Sequence, residues 1–106
     1  MSQKCIQLLG LASRARKIAT GEDLVLTEVK SKRAKIVFLA NDASANTEKK
    51  MTDKCTYYGI QVFRNFDRVT LGKAIGKETR VSLAVLDAGF AKKMIQILQE
   101  EKMIEN

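Results

Sequence analysis

The chain has 106 residues, 45% of them hydrophobic and 6% aromatic, with no Trp, His or Pro and a formal net charge of +7. That length forms one domain and buries roughly 60–70% of the unfolded surface, here around an aliphatic core. Two Cys without any His argue against a zinc site, and two Cys without a secretory pattern fit a reducing cytoplasm.

The positive charge is front-loaded. Residues 1–35 hold eight Lys/Arg against three acids, 36–70 five against four, and 71–106 six against five. A field of this sign draws polyanions. It does not by itself separate an RNA binder from an ordinary basic protein.

In chain order, Cys5, Leu8, Leu9 and Ala12 recur at helical spacing and predict a first helix ending near Ala15. This stretch is broken by Gln7 and Gly10 and followed by Arg14, Arg16 and Lys17, too short and too interrupted for a membrane span. Ile18-Ala19 is a very short strand. Thr20-Gly21-Glu22-Asp23 resembles a capping box opening a second helix, with Thr20 as the cap. Val25, Leu26 and Val29 form that helix's buried stripe, and Lys30-Ser31-Lys32-Arg33 closes it. Lys35–Ala40 is a continuous, partly β-branched run that suits a strand covered on both faces. After the loop Asn41–Ser44, Met51, Cys55 and Tyr58 mark a third helix that stops at Gly59. Both Cys occupy apolar helix positions and read as small buried hydrophobes. Ile60–Phe63 is a third strand, Asp67–Ile75 a short helix exiting at Gly76, Val81–Leu86 a fourth strand, and Phe90, Met94, Ile97 and Leu98 mark the last helix.

Alternating helices and strands predict an α/β fold, a three-layer α/β/α sandwich around a parallel or mixed sheet. Ligands of such sheets bind outside one end of the strands. The loops Thr20–Asp23, Asn41–Ser44 and Asn65–Arg68 each follow a strand and precede a helix, so they gather at one end. The loop Lys77–Arg80 precedes a strand. It falls at the other end if all strands run parallel and at the same end if its strand is reversed; spacing leaves both open. Gly72-Lys73-Ala74-Ile75-Gly76-Lys77-Glu78 superficially looks like a phosphate-binding P-loop, but three residues separate the glycines instead of four, and Glu78 replaces the magnesium-binding hydroxyl.

The segments Ala34–Ala43, Leu71–Lys77 and Arg80–Asp87 resemble the ribosomal protein L7Ae/L30e family. The start Leu11–Gly21 resembles its short bacterial, ribosomal-protein-like branch. The resemblance implies a sandwich with a four-stranded mixed sheet, no cofactor, and recognition of kink-turn RNA, a sharply bent internal loop with tandem sheared G·A pairs. It also implies that the start of the second helix enters the widened groove, and that the loop before the last strand caps a flipped-out nucleotide. This sets Lys77–Val81 beside the other three loops by analogy. The family's helix start, Gly-x-Asn-Glu-x-x-Lys, corresponds here to Gly21 through Thr27. Gly21 matches, Asp23 stands for Asn, Leu24 for Glu, and Thr27 for Lys, which removes one phosphate-pairing cation.

Each candidate residue has an ordinary reading beside the functional one. Glu22 and Asp23 complement the helix dipole, or accept from base amino groups. Arg16 and Lys17, with Arg14, Lys30, Lys32 and Arg33, are a solvated surface, or a phosphate-tracking stripe flanking the Gly21 loop. Asn41 makes a turn, or by resemblance meets the extruded base, with Arg68 assisting from the next loop. Lys77 and Arg80 can meet phosphates, while Thr79 and Val81 offer a hydroxyl and an apolar surface to a sugar or unstacked base. The expectation is a noncatalytic, cytoplasmic protein that binds structured RNA, ribosomal RNA above all, with ribosomal proteins as neighbours and neither a membrane nor a small-molecule substrate. The alternatives are a protein-interaction adaptor on the same fold and a small nucleotide-dependent transferase.

Overall fold

A computed structural model describes residues 2–105. In chain order the elements are α1 (Gln3–Arg14), β1 (Ile18–Thr20), α2 (Glu22–Lys30), β2 (Ile36–Leu39), α3 (Ala45–Tyr58), β3 (Gln61–Phe63), α4 (Arg68–Ala74), β4 (Ser82–Val85) and α5 (Ala88–Glu105). The expected order of elements is present, with boundaries trimmed or extended at the ends.

Side-chain alternation along the strands builds two cores. Ile36 and Phe38 of β2, with Leu83 and Val85 of β4, face Cys5, Leu9, Leu71 and Met94 from α1, α4 and α5. Val37 and Leu39, with Ala84, face Val25, Val29, Met51 and Cys55 from α2 and α3. Every residue of β2 and β4 is buried, as central strands covered on both faces require. Phe38 anchors the larger core, its ring centroid 5.7 Å from that of Phe63 and 6.1 Å from that of Phe66. The result is the expected α/β/α sandwich.

The sheet order is β1-β4-β2-β3. β2 and β3 run parallel, while β4 is antiparallel to both of its neighbours, β1 and β2. β1, β2 and β3 therefore point one way and β4 opposes them. The register pairs Thr20 with Leu83, Leu39 with Ser82, and Phe38 with Phe63. The exits of three strands and the entrance of the fourth thus share one edge, which we call the upper edge. The alternative that spacing left open is closed by the reversed β4.

Most helix ends follow local chemistry. Ser44 accepts from the Thr47 N–H at 3.2 Å, and Asp67 from the Thr70 N–H at 2.8 Å. The latter bonds hold the Asp67 carboxyl below its ordinary pKa. α3 stops at Gly59 with φ 71°. The start of α2 departs from expectation. Its N-cap is Gly21, with no side-chain bond, and the Thr20 hydroxyl donates instead to the Ser82 carbonyl at 2.9 Å. Thr20 is still a strand residue, one position too early to cap, and its hydroxyl meets the neighbouring strand first.

Candidate nucleic-acid interface

The upper-edge loops are tied to one another by backbone bonds. The Ala40 N–H donates to the Val81 carbonyl at 2.8 Å, the Asn41 N–H to the Phe66 carbonyl at 2.9 Å, and the Arg80 N–H to the Arg68 carbonyl at 3.0 Å. Asp42 clamps Arg68 from both sides of its peptide unit. Its carboxylate accepts the Arg68 backbone N–H at 3.0 Å and lies 3.3 Å from Nε, while its carbonyl accepts from the guanidinium at 2.6 Å. Arg64 adds a bond to the Ala40 carbonyl at 3.1 Å and an ion pair with Glu48. Loops after β2 and β3 and before β4 therefore form one braced rim, not three independent turns.

The rim's fourth member is the start of α2. Gly21 has φ +96°, a conformation that strains any L side chain, and a Cβ added there would meet nothing within 4 Å. The backbone is therefore open to close approach. With no side-chain cap, the N–H groups of Glu22, Asp23 and Leu24 have no acceptor among the described residues. These orphan donors, at the positive end of the helix dipole, are the elements of an anion or base-edge contact. Gly21 and Glu22 line an open cleft of about 330 Å³ together with Thr47, Thr79, Arg80, Val81 and Ser82. The reversed β4 thus brings the Gly21 helix start and the Thr79–Val81 loop to the same cleft.

Charges at the rim are sorted. The Glu22 carboxylate accepts from the Lys50 ammonium at 2.8 Å and the Thr47 hydroxyl at 3.3 Å. The bond from Lys50 holds the Glu22 carboxyl below its ordinary pKa, and in return Lys50 is raised. Glu48 is tied to Arg64 and Asp42 to Arg68, which leaves Lys77 and Arg80 as rim cations with no carboxylate partner among the described residues. Arg80 is half-buried and donates to the adjacent Thr79 carbonyl at 2.7 Å, whereas Lys77 and Thr79 are exposed.

Of the residues singled out from sequence, Gly21, Glu22, Asp23, Asn41, Arg68, Lys77, Thr79, Arg80 and Val81 belong to the upper-edge loops. Asn41 is exposed, and its side-chain amide has no partner among the described residues. Thr27 lies one helical turn below; its hydroxyl donates to the Asp23 carbonyl at 3.0 Å. Arg16 and Lys17 are not beside Gly21. They precede β1, so they sit at the sheet's lower edge, with the Lys17 carbonyl accepting from the Leu86 N–H at 2.8 Å. Three strand residues separate the two ends by about 10 Å, and nearness in sequence is no nearness to the rim. Sequence reading missed Thr47, Lys50 and Arg64. Ser44-x-x-Thr47 was a legible helix start, but nothing local signals that Lys50 reaches Glu22, 28 residues away.

Among the described residues, no group of three or more His, Cys, Asp or Glu side chains converges on a metal position, and no helix is long and apolar enough to cross a membrane. Residues 3–95 match the sequence profile of the Ribosomal protein L7Ae/L30e/S12e/Gadd45 family. The chain belongs to this family. Relatives within reach include "RNA-binding protein YlxQ" of Bacillus subtilis (strain 168), 56% identical over 91 residues, covering 86% of this chain and 91% of that protein. "RNA-binding protein YlxQ" of Enterococcus faecium is 44% identical over 97 residues, covering 92% and 93%. A solved structure of a protein of unknown function from Bacillus halodurans superposes with a TM-score of 0.87 at 44% identity, covering 91% of this chain and 97% of the other. The Giardia lamblia 15.5kD RNA binding protein superposes with a TM-score of 0.78 at 17% identity, covering 93% and 85%. That last likeness is one of fold alone. The sandwich fold thus persists where most side chains differ.

Proposed function

We propose that this chain is a noncatalytic RNA-binding protein that recognises a bent, structured RNA of kink-turn type, in a cytoplasmic, ribosomal or ribosome-associated setting. One observation carries the reading: the uncapped start of α2 and the two carboxylate-free cations, Lys77 and Arg80, stand on loops that meet at one braced edge. The α2 start offers backbone donors to a base edge or phosphate. Lys77 and Arg80 supply backbone charge, and Val81 an apolar surface for an unstacked base. Asn41, whose amide is free, supplies a base-pairing edge, and Arg68, held by Asp42, positions the Arg80 backbone rather than spending its own charge on RNA. Two relatives that carry the name RNA-binding protein support the partner class.

At the α2 start, Leu24 and Thr27 stand where the wider family has Glu and Lys. Leu24 is 52% exposed, an apolar side chain presented in the first turn. Thr27 is engaged with Asp23. Sequence discrimination therefore falls to Asp23, Asn41 and the backbone donors, and phosphate charge to Lys77 and Arg80. Direct binding to a kink-turn hairpin, and to the same hairpin with its G·A pairs replaced by Watson–Crick pairs, tests the proposal. The intact kink-turn should bind at least tenfold tighter at both low and physiological salt. Equal affinities would contradict kink-turn recognition.

A further inference from the structure

The cations that sequence order sets near Gly21 form their own assembly at the lower edge. Lys17 and Lys35 flank the end of β4. The Leu86 N–H donates to the Lys17 carbonyl and the Lys35 N–H to the Val85 carbonyl, each at 2.8 Å. That places the two lysines on either side of one strand, about two strand spacings or ~10 Å apart. Arg16 and Lys32 enter from the turns that precede β1 and β2. All four side chains are exposed. None pairs with a carboxylate among the described residues. Two acids of the adjoining segments are engaged: Glu28 pairs with Arg33, and Asp87, next to Leu86, accepts from the Phe90 N–H at 2.8 Å.

Two features set this cluster apart from an ordinary solvated surface. Helix dipoles account for cations in the last turns, Arg14 of α1 and Lys30 of α2, but not for Lys17 and Lys35, which immediately precede strands. Arg16 and Lys32 are the two non-glycine residues of the described chain with positive φ, at 61° and 63°. A left-handed position strains an L side chain, and Gly or Asn fills it more cheaply. At both such positions this chain carries a long cation instead.

We propose that the lower edge is a second RNA-contact surface, in which Arg16, Lys17, Lys32 and Lys35 grip the phosphate backbone of a helical segment other than the one held at the upper rim. β2 alone spans about 13 Å between the edges, beyond the Debye length of ~8 Å at physiological salt. The two sets of cations therefore act as separate fields, and RNA bound above does not neutralise the charge below. Cations spread over exposed turns suit a polyphosphate backbone, which is met by charge and position; an acidic protein partner gains its affinity from buried anchors. The chain would thereby bridge two helical elements of one folded RNA. The inference rests on RNA as the partner, not on the kink-turn.

The test uses the full chain carrying Arg16→Asn, Lys17→Gln, Lys32→Asn and Lys35→Gln, with Asn chosen because it tolerates the left-handed backbone. Its probes are a plain RNA duplex, a short-stemmed kink-turn hairpin and polyglutamate. Duplex affinity should fall at least tenfold, and the slope of log K against log salt should shrink by about 4, close to one unit per lost phosphate contact. Hairpin affinity should stay within twofold. Should the fourfold variant lose its native circular dichroism, the pair Lys17→Gln and Lys35→Gln replaces it, with a slope change of about 2. Unchanged duplex binding overturns the proposal, as does equal loss on both RNAs, or polyglutamate held as tightly as duplex and released by the same substitutions. A hairpin that never binds contradicts the kink-turn proposal alone, and the duplex result still decides the lower edge.

Discussion

Gly72 and Thr79 touch backbone to backbone: a Cβ on Gly72 would lie 2.6 Å from the Thr79 Cα and 2.7 Å from the Glu78 carbonyl carbon and oxygen. The Lys77 N–H donates to the Gly72 carbonyl at 2.8 Å, and Gly76 turns the chain with φ +76°. The Leu-Gly-x-Ala-x-Gly segment is thus a device for folding the Lys77–Val81 loop back onto α4. One glycine permits the contact and the other the reversal.

Gly72→Ala should therefore destabilise the protein by about 1–3 kcal/mol, because the neighbour is main chain that cannot rotate away. For a domain of this size each kcal/mol lowers Tm by roughly 4–8 °C. Thermal unfolding measures it. RNA affinity of the still-folded fraction should fall too, since the displaced loop carries Lys77 and Arg80.

Lys77→Ala with Arg80→Ala should leave Tm nearly unchanged, as the two side chains make no ion pair among the described residues. RNA affinity should drop tenfold or more, and the salt slope should shrink by about 2. Titrations at several salt concentrations read both quantities. An unaltered slope would mean that neither cation meets a phosphate.

Lys50→Gln strips the cationic partner from Glu22 and leaves an uncompensated carboxylate at the mouth of the Gly21 cleft. Affinity for the kink-turn hairpin should fall several-fold, and Glu22→Gln added to it should restore most of the loss. The double-mutant comparison separates this electrostatic role from direct contact, because a lysine that itself bound phosphate would not be rescued.

The fold was readable because each element announces itself locally. Period-3.6 apolar positions mark α1 and α3, short mainly apolar runs mark β2 and β4, and Gly59 and Gly76 mark exits. Strand direction was not readable: a four-residue buried run such as Ser82–Val85 carries no signal of which way its neighbours point. The site suffered accordingly. Gly21, Asn41 and Arg80 share an edge only because β4 is reversed, while Arg16 and Lys17, adjacent to Gly21 along the chain, lie across a three-residue strand from it. Thr20 looked like a cap because capping boxes are local patterns, and its actual acceptor, the Ser82 carbonyl, is 62 residues away.

The cysteines give a pH-linked prediction. Burial pushes the Cys5 thiol from 9.0 up to about 12, and Cys55 from 9.0 to about 11. Both should resist thiol reagents in the native state at pH 8 and react on unfolding in urea. A folded pKa above the unfolded one means stability that is complete below pH 9 and lost as pH rises from there through the folded values near 11 and 12. Urea midpoints taken between pH 8 and pH 10.5 should decline, and Cys5→Ala with Cys55→Ala should flatten that decline while lowering stability throughout.

The central claim is that RNA is held at the edge where four chain segments meet. Amide chemical shifts of the labelled protein, followed while a kink-turn hairpin is added, address it residue by residue. The account predicts the largest shifts at Glu22 to Leu24, Asn41 and Lys77 to Val81, with the outer surface of α3 unmoved. Shifts confined to α3 or α5, with the Gly21 and Arg80 segments unaffected at saturation, would contradict it.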